Sequence, residues 1–195
     1  MLRFIGFYDY TVILTYISLL SAVFGMVLAH LGSFTAAILC LMVSGVCDAF
    51  DGTVARSKKD RTADEKAFGI QLDSLCDVVS FGIFPAFLCY CMGMESIIGL
   101  VILGTYCTCA VIRLAFFNVL EAKRQQEEGG SNKVYRGLPV TTISIIFPMV
   151  YLLRFFLPKT VFIILLHVMA GAVAFLFILD VPIRKPILSG TGSKT

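Results

Sequence analysis

The sequence predicts an all-α, polytopic membrane protein with six transmembrane helices. Two observations carry that fold class. The 195 residues are 58% hydrophobic and 15% charged, with a mean hydropathy of +0.89. A soluble domain has about 45–50% apolar and about 25% charged residues. The apolar residues also gather into six runs near the roughly 20 residues needed to cross a bilayer core. These runs are 11–30, 34–55, 68–92, 95–118, 138–157 and 160–181. No segment reads as a strand.

Each element follows in order. Residues 1–10 (MLRFIGFYDY) form an amphipathic interfacial segment leading into the first span, not a cleavable signal peptide. Turn formers separate successive spans at His30-Leu31-Gly32, Met92-Gly93-Met94 and Leu157-Pro158-Lys159. The polar stretch Ser57–Lys66 reads as a basic loop between spans two and three. The stretch Glu121–Tyr135 reads as a helix extension followed by a Gly-Gly turn.

Orientation comes from lysine and arginine. Arg3, then Arg56, Lys58, Lys59, Arg61 and Lys66, then Lys123, Arg124, Lys133 and Arg136, then Arg184, Lys185 and Lys194 fall on one side. The other side carries little beyond Lys159 and Arg154. Both termini and the loops after spans two and four are therefore expected in the cytosol. The net charge of +3 comes without a basic run interleaved with aromatics, so no nucleic-acid partner is expected. The seven cysteines include no CxxC pair and read as small buried hydrophobes.

Charged side chains inside spans are costly and mark function. Here they cluster. The second span ends with Asp48, Asp51, Gly52, Ala55 and Arg56, within an arc of about 140° at roughly 100° per residue. The third begins with Gly69, Asp73 and Asp77, spaced i, i+4, i+8 on one stripe. A short connection lets these helices lie antiparallel, bringing four carboxylates together just inside the cytosolic leaflet. Such a cluster needs protons or cations to neutralise it. Oxygen-only ligands favour hard ions such as Mg²⁺, Mn²⁺ or Ca²⁺. Two divalent ions would balance the charge and suit phosphoryl chemistry. Gly52, Ala55 and Gly69 leave room for a nucleotide diphosphate, although small residues also serve helix packing.

The pattern Asp48-x2-Asp51-Gly52-x2-Ala55-Arg56, twelve residues, then Gly69-x3-Asp73-x3-Asp77 resembles the signature of the CDP-alcohol phosphotransferases, with all eight positions present. The spacer is longer than is common in that family and resembles its phosphatidylserine synthase branch. So do Gln71–Gly82 with Pro85, Arg113–Asn118 and Tyr135–Thr141. Ser18 departs from the pattern, where relatives often have Asn.

The resemblance implies a single integral membrane catalytic domain spanning 1–195, a six-helix fold, a homodimer in the cell membrane, and a cavity open to the cytosol. It implies transfer of the phosphatidyl group from CDP-diacylglycerol to L-serine, releasing CMP. Asp48, Asp51, Asp73 and Asp77 would hold two Mg²⁺ or Mn²⁺ ions, with Asp77 also the general base. Gly52, Ala55, Arg56 and Gly69 would line the CDP site. Arg113, Asn118, Tyr135 and Arg136 are candidates for the acceptor pocket. Arg113 reads as the main cation there, and so low a cation count favours serine over glycerol 3-phosphate or an inositol phosphate. A cation transporter is the alternative of a different class, but it would need polar residues through to the outer face. Glu95 is expected to cap the fourth span, His30 and His167 to be packing or interfacial residues, and Asp180 and Arg154 to snorkel.

Overall fold

The computed structural model describes residues 5–58, 60–126, 134–136, 138–180 and 182–184; of these, side chains are described except at 56, 123–126, 134–136 and 182–184. The helices are α1 (Ile13–His30), α2 (Phe34–Ser57), α3 (Ala63–Asp77), α4 (Phe84–Cys91), α5 (Ile97–Gln126), α6 (Ile143–Leu152) and α7 (Lys159–Ile178). A π-helical segment, Val78–Ile83, joins α3 and α4 into one rod. Five rods are long and apolar enough to cross a membrane: Tyr10–His30, Phe34–Ala55, Ala63–Cys91, Ile97–Ala122 and Lys159–Ile178. The expected fifth span is a shorter apolar helix, Val140–Phe155. It carries Pro148 and tightens to 3₁₀ geometry at both ends.

A small antiparallel ribbon was not expected. Strand β1 (Val134–Arg136) pairs with β2 (Pro182–Arg184), with Tyr135 opposite Ile183. It ties the connection after α5 to the segment after α7.

The third rod begins at Ala63, five residues before the expected boundary. Thr62 accepts a hydrogen bond from the Glu65 backbone N–H at 3.2 Å, and the Glu65 carboxylate accepts from the Thr62 N–H at 2.8 Å. This reciprocal capping box starts α3 inside what reads as a loop. Only residues 58–62 lie between α2 and α3, and both helices pack on α1.

Small residues set the packing. A Cβ on Gly25 of α1 would lie 2.2 Å from the Phe84 ring of α4, and one on Gly45 of α2 would lie 2.1 Å from Ser144 Oγ of α6. Helices in lipid have little hydrophobic drive to associate, so such close approach supplies the contact energy. Ser18, Ser44 and Ser80 link α1, α2 and the π segment: Ser44 Oγ donates to the Ser18 carbonyl at 2.9 Å, and Ser18 Oγ reaches Ser80 Oγ at 3.4 Å. The Ser18 departure is thus absorbed as a helix–helix contact. Below this knot the core is apolar, with Ala22, Leu41, Phe84, Leu88 and Phe147 buried. The expectation that Glu95 caps α5 is corrected. Ser96 caps it instead, its Oγ accepting from the Gly99 N–H at 3.0 Å, because a hydroxyl beside the helix start reaches that N–H with no long side chain to order. His167 packs back on its own helix, Nδ1 lying 2.8 Å from the Ile163 carbonyl.

The π segment directly follows Asp77 and needs external hydrogen bonding. Pro85 has no N–H to offer the carbonyl four residues back, at Phe81. The buried Tyr106 hydroxyl of α5 donates to that carbonyl at 2.6 Å. Inside a bilayer no water would do so. Tyr106→Phe should therefore destabilise the fold by about 1–2 kcal/mol. Thermal unfolding in detergent checks this, and an unchanged melting temperature would remove Tyr106 from the account of the π segment.

Candidate active site

The site sits where aspartates of α2 and α3 meet, both helices packing on α1. Asp48, Asp73 and Asp77 each present a carboxylate oxygen, and these oxygens all lie within 4.8 Å of one another. Asp77 and Asp51 are buried. Asp48 and Asp77 interact side chain to side chain, as do Asp51 and Asp73. Thr15 Oγ1 of α1 donates to Asp51 Oδ2 at 3.4 Å. The carboxylates of both helices therefore occupy one place.

The donor set fits a hard divalent cation. It offers oxygen alone, and Asp73 Oδ1 is buried with no hydrogen-bond partner. Four acidic groups facing each other, one with an orphaned acceptor, is an arrangement that a cation would satisfy.

Beside the carboxylates lies a cavity of about 490 Å³ lined by Thr11, Thr15, Asp51, Gly52, Ala55, Gly69 and Asp73. Three of the four residues expected to line a diphosphate site are thus on its wall; the side chain of the fourth, Arg56, lies outside the described residues. The cavity also presents Lys58, Arg61, Lys66 and Glu121, which the sequence reading did not single out.

Arg61 accounts for one glycine. Its Nη2 donates to the Glu65 carbonyl at 3.0 Å, and its Nε is buried with no partner. A Cβ on Gly69 would stand 2.6 Å from Nη2. Gly69 is therefore the seat of the Arg61 guanidinium, whose Nη2 comes closest to α3 at the cavity wall.

The acceptor candidates separate. Arg113 is buried, and its Nε donates to the Leu138 carbonyl at 3.2 Å. Asn118 accepts from Ser74 Oγ at 2.7 Å and so joins α5 to α3 one residue beyond Asp73. Neither lines the carboxylate cavity. Tyr135 and Arg136 have backbone positions in β1, and their side chains lie outside the described residues. The expectation of Arg113 as the cavity's main cation is corrected: Lys58, Arg61 and Lys66 hold that place, because the early start of α3 folds the basic stretch over the cavity mouth. The cation count therefore no longer favours serine.

The N-terminal segment closes one side of the mouth. Lys58 Nζ bridges Asp9 Oδ2 at 2.8 Å and Glu65 Oε1 at 3.2 Å. Asp9 also accepts from the Thr11 N–H at 2.7 Å and from the Thr11 hydroxyl. Phe7 packs edge-on against Phe68 with ring centroids 5.5 Å apart.

Residues 11–179 match the family model of the CDP-alcohol phosphatidyltransferases. The chain belongs to that family. It is 36% identical over 113 residues to the CDP-diacylglycerol–serine O-phosphatidyltransferase of Saccharomyces cerevisiae, covering 56% of this chain and 40% of the yeast protein. It is 37% identical over 108 residues to the enzyme of the same name from Methanocaldococcus jannaschii, covering 55% and 49%. It is 32% identical over 165 residues to the archaetidylserine synthase of Methanothermobacter thermautotrophicus, covering 84% and 64%. The chain thus spans less than two thirds of each of these relatives.

The Lys58 bridge has a defined pH dependence. Hydrogen bonds from Lys58 and Thr11 lower the Asp9 pKa from 3.8 to about 2. A depressed carboxylate contributes stability that is present above 3.8 and lost as pH falls through about 2. Asp9→Asn should therefore melt below the parent at pH 6, with the gap closing as the solution is acidified from pH 4 toward pH 2. A gap constant across that range, measured by thermal unfolding, would contradict the bridge.

Proposed function

We propose that this chain is one catalytic unit that transfers the phosphatidyl group from CDP-diacylglycerol to L-serine, giving phosphatidylserine and CMP. The observation that carries the reading is the convergence of Asp48, Asp73 and Asp77 within 4.8 Å beside a cavity whose lining includes Gly52, Ala55, Gly69 and the cations Lys58, Arg61 and Lys66. Family membership supplies the reaction class. Serine as acceptor is supported by the names of relatives at 36% and 37% identity and by the branch motifs Gln71–Gly82 and Arg113–Asn118.

Asp48, Asp51, Asp73 and Asp77 would hold two Mg²⁺ or Mn²⁺ ions. Bound divalent ions would neutralise the diphosphate and stabilise the charge that develops on departing CMP. Gly52, Ala55 and Gly69 leave the helix backbones open to the nucleotide. Arg61 and Lys58 place positive charge against its phosphates. The serine hydroxyl attacks the lipid-side phosphorus, the bond to the CMP phosphate oxygen breaks, and Asp77 takes the hydroxyl proton. Proton transfer to a placed base is typically worth about 10²–10⁴-fold. Ser74–Asn118 holds α5 against α3 and keeps Asp73 and Asp77 in register. Orientation with the site and both termini in the cytosol of a cell membrane rests on the lysine and arginine asymmetry. The dimeric state rests on the family resemblance.

A cation carrier would need a polar route onward from the carboxylates. The apolar layer of Leu41, Phe84 and Phe147 beneath the serine knot argues against one.

Two measurements test the reading. Asp77→Asn should reduce CMP release from CDP-diacylglycerol and serine at least about 100-fold with an unchanged melting temperature; activity near the parent level would withdraw Asp77 as base. Parallel assays with serine, glycerol 3-phosphate and inositol phosphate should give turnover with serine. Turnover only with a phosphorylated acceptor would assign Lys58, Arg61 and Lys66 to that acceptor's phosphate and overturn the serine reading.

A further inference from the structure

A second cavity of about 480 Å³ lies at the opposite end of the bundle, lined by Phe34, Met92, Glu95, Arg154, Lys159 and Phe162, among others. Phe34 opens α2 and Gly52 lies near its other end. At 1.5 Å per residue the two cavities are separated by about 27 Å along that helix, close to the thickness of a hydrocarbon core. The cavity therefore belongs to the membrane face away from the carboxylates.

Its charge is unusual for that face. Arg154 and Lys159 are the two cations that stand against the lysine and arginine asymmetry of the chain, and both line this one cavity. Arg154 does more than snorkel. Its Cζ lies 5.6 Å from the Phe34 ring centroid and 5.4 Å from that of Tyr151. One amino nitrogen donates to the Tyr151 hydroxyl at 2.8 Å, and that hydroxyl is 3.0 Å from Thr35 Oγ1. The guanidinium is thus held in place by α2 and α6. Among the described residues no carboxylate pairs with Arg154 or Lys159; the salt bridges are those of Lys58. Glu95 shares the cavity without closing on either cation. Next in sequence to the lining residues Arg154 and Leu157, Phe155 and Phe156 are exposed, an apolar border suited to acyl chains.

We propose that this cavity binds the headgroup of an anionic phospholipid from the leaflet on that face, its phosphate against Arg154 and Lys159 and its chains along the Phe155–Phe156 border. A positioned guanidinium, a second cation and apolar walls at headgroup depth match a phosphodiester with lipid tails better than a water-soluble anion. The site is independent of the catalytic reading.

Native mass spectrometry of the full chain in detergent, with phosphatidylglycerol or phosphatidylcholine added, tests it. Replacing both Arg154 and Lys159 by Gln should weaken phosphatidylglycerol retention about 25-fold, as expected for two cations each worth roughly a factor of five at a membrane surface. Phosphatidylcholine retention and CMP release should be unchanged. Glu95→Gln removes a negative charge from the cavity and should strengthen phosphatidylglycerol retention, a gain that misfolding would not produce. Equal phosphatidylglycerol retention by the parent and the double variant, equal loss of both lipids, or weaker retention in Glu95→Gln would each overturn the proposal.

Discussion

Negative charge concentrated inside a low-dielectric bundle is the constraint on which the rest of this structure depends. An isolated buried carboxylate is strongly disfavoured. Placing Asp48, Asp51, Asp73 and Asp77 together is sustainable only with positive charge to match. The bundle meets the demand on three sides. The carboxylate face, with the orphaned Asp73 Oδ1, is open to a cation. The cavity wall carries Arg61, Lys58 and Lys66. Helix α1 supplies a neutral hydrogen bond to Asp51 through Thr15, while Asn118 of α5 braces α3 beside the cluster through Ser74.

The scaffold holds the two acidic stripes at fixed distance. Glycine at 25 and 45 lets α1, α2, α4 and α6 close on one another, and the serine knot locks the depth of α2 against α1 and the π segment. The π segment begins one residue after Asp77 and changes the helical phase there. Gly69, Asp73 and Asp77 face the carboxylate site, while Ser80, Phe81 and Phe84 beyond them are buried in the packed core. Irregular helix inside a membrane is tolerable because Tyr106 and Cys107 of α5 approach the carbonyls of Phe81 and Gly82. The carboxylate cluster and the helix irregularity thus adjoin on one rod.

Much of this was legible in the chain. Hydrophobic run lengths located the membrane rods, and helical periodicity alone put Asp73 and Asp77 on one stripe and Asp48 and Asp51 on another, because the wheel requires no tertiary information. What was not legible depended on contacts between distant segments. Arg61 looked like one more positive-inside charge until its place over Gly69 was visible. Arg113 reads as an acceptor cation, but its donation to the Leu138 carbonyl, 25 residues away, and its place outside the carboxylate cavity's lining depend on the fold. The start of α3 was readable in principle, since Thr62-Ala-Asp-Glu65 is a capping box, but charge density made the stretch look like loop. The short helix around Pro148 shows the same limit: apolar length suggests a full span over 138–157, whereas the helix runs only Val140–Phe155.

Whether the two acidic helices hold one cation pocket in common can be measured directly. Mn²⁺ binding to the purified chain, followed by electron paramagnetic resonance, would be compared for the parent, Asp48→Asn, Asp73→Asn and the double variant. A shared pocket predicts that either single substitution removes most of the binding and that the second adds little, a strongly non-additive cycle. Independent, additive losses, or Mn²⁺ binding untouched by both changes, would show that α2 and α3 do not form a common site.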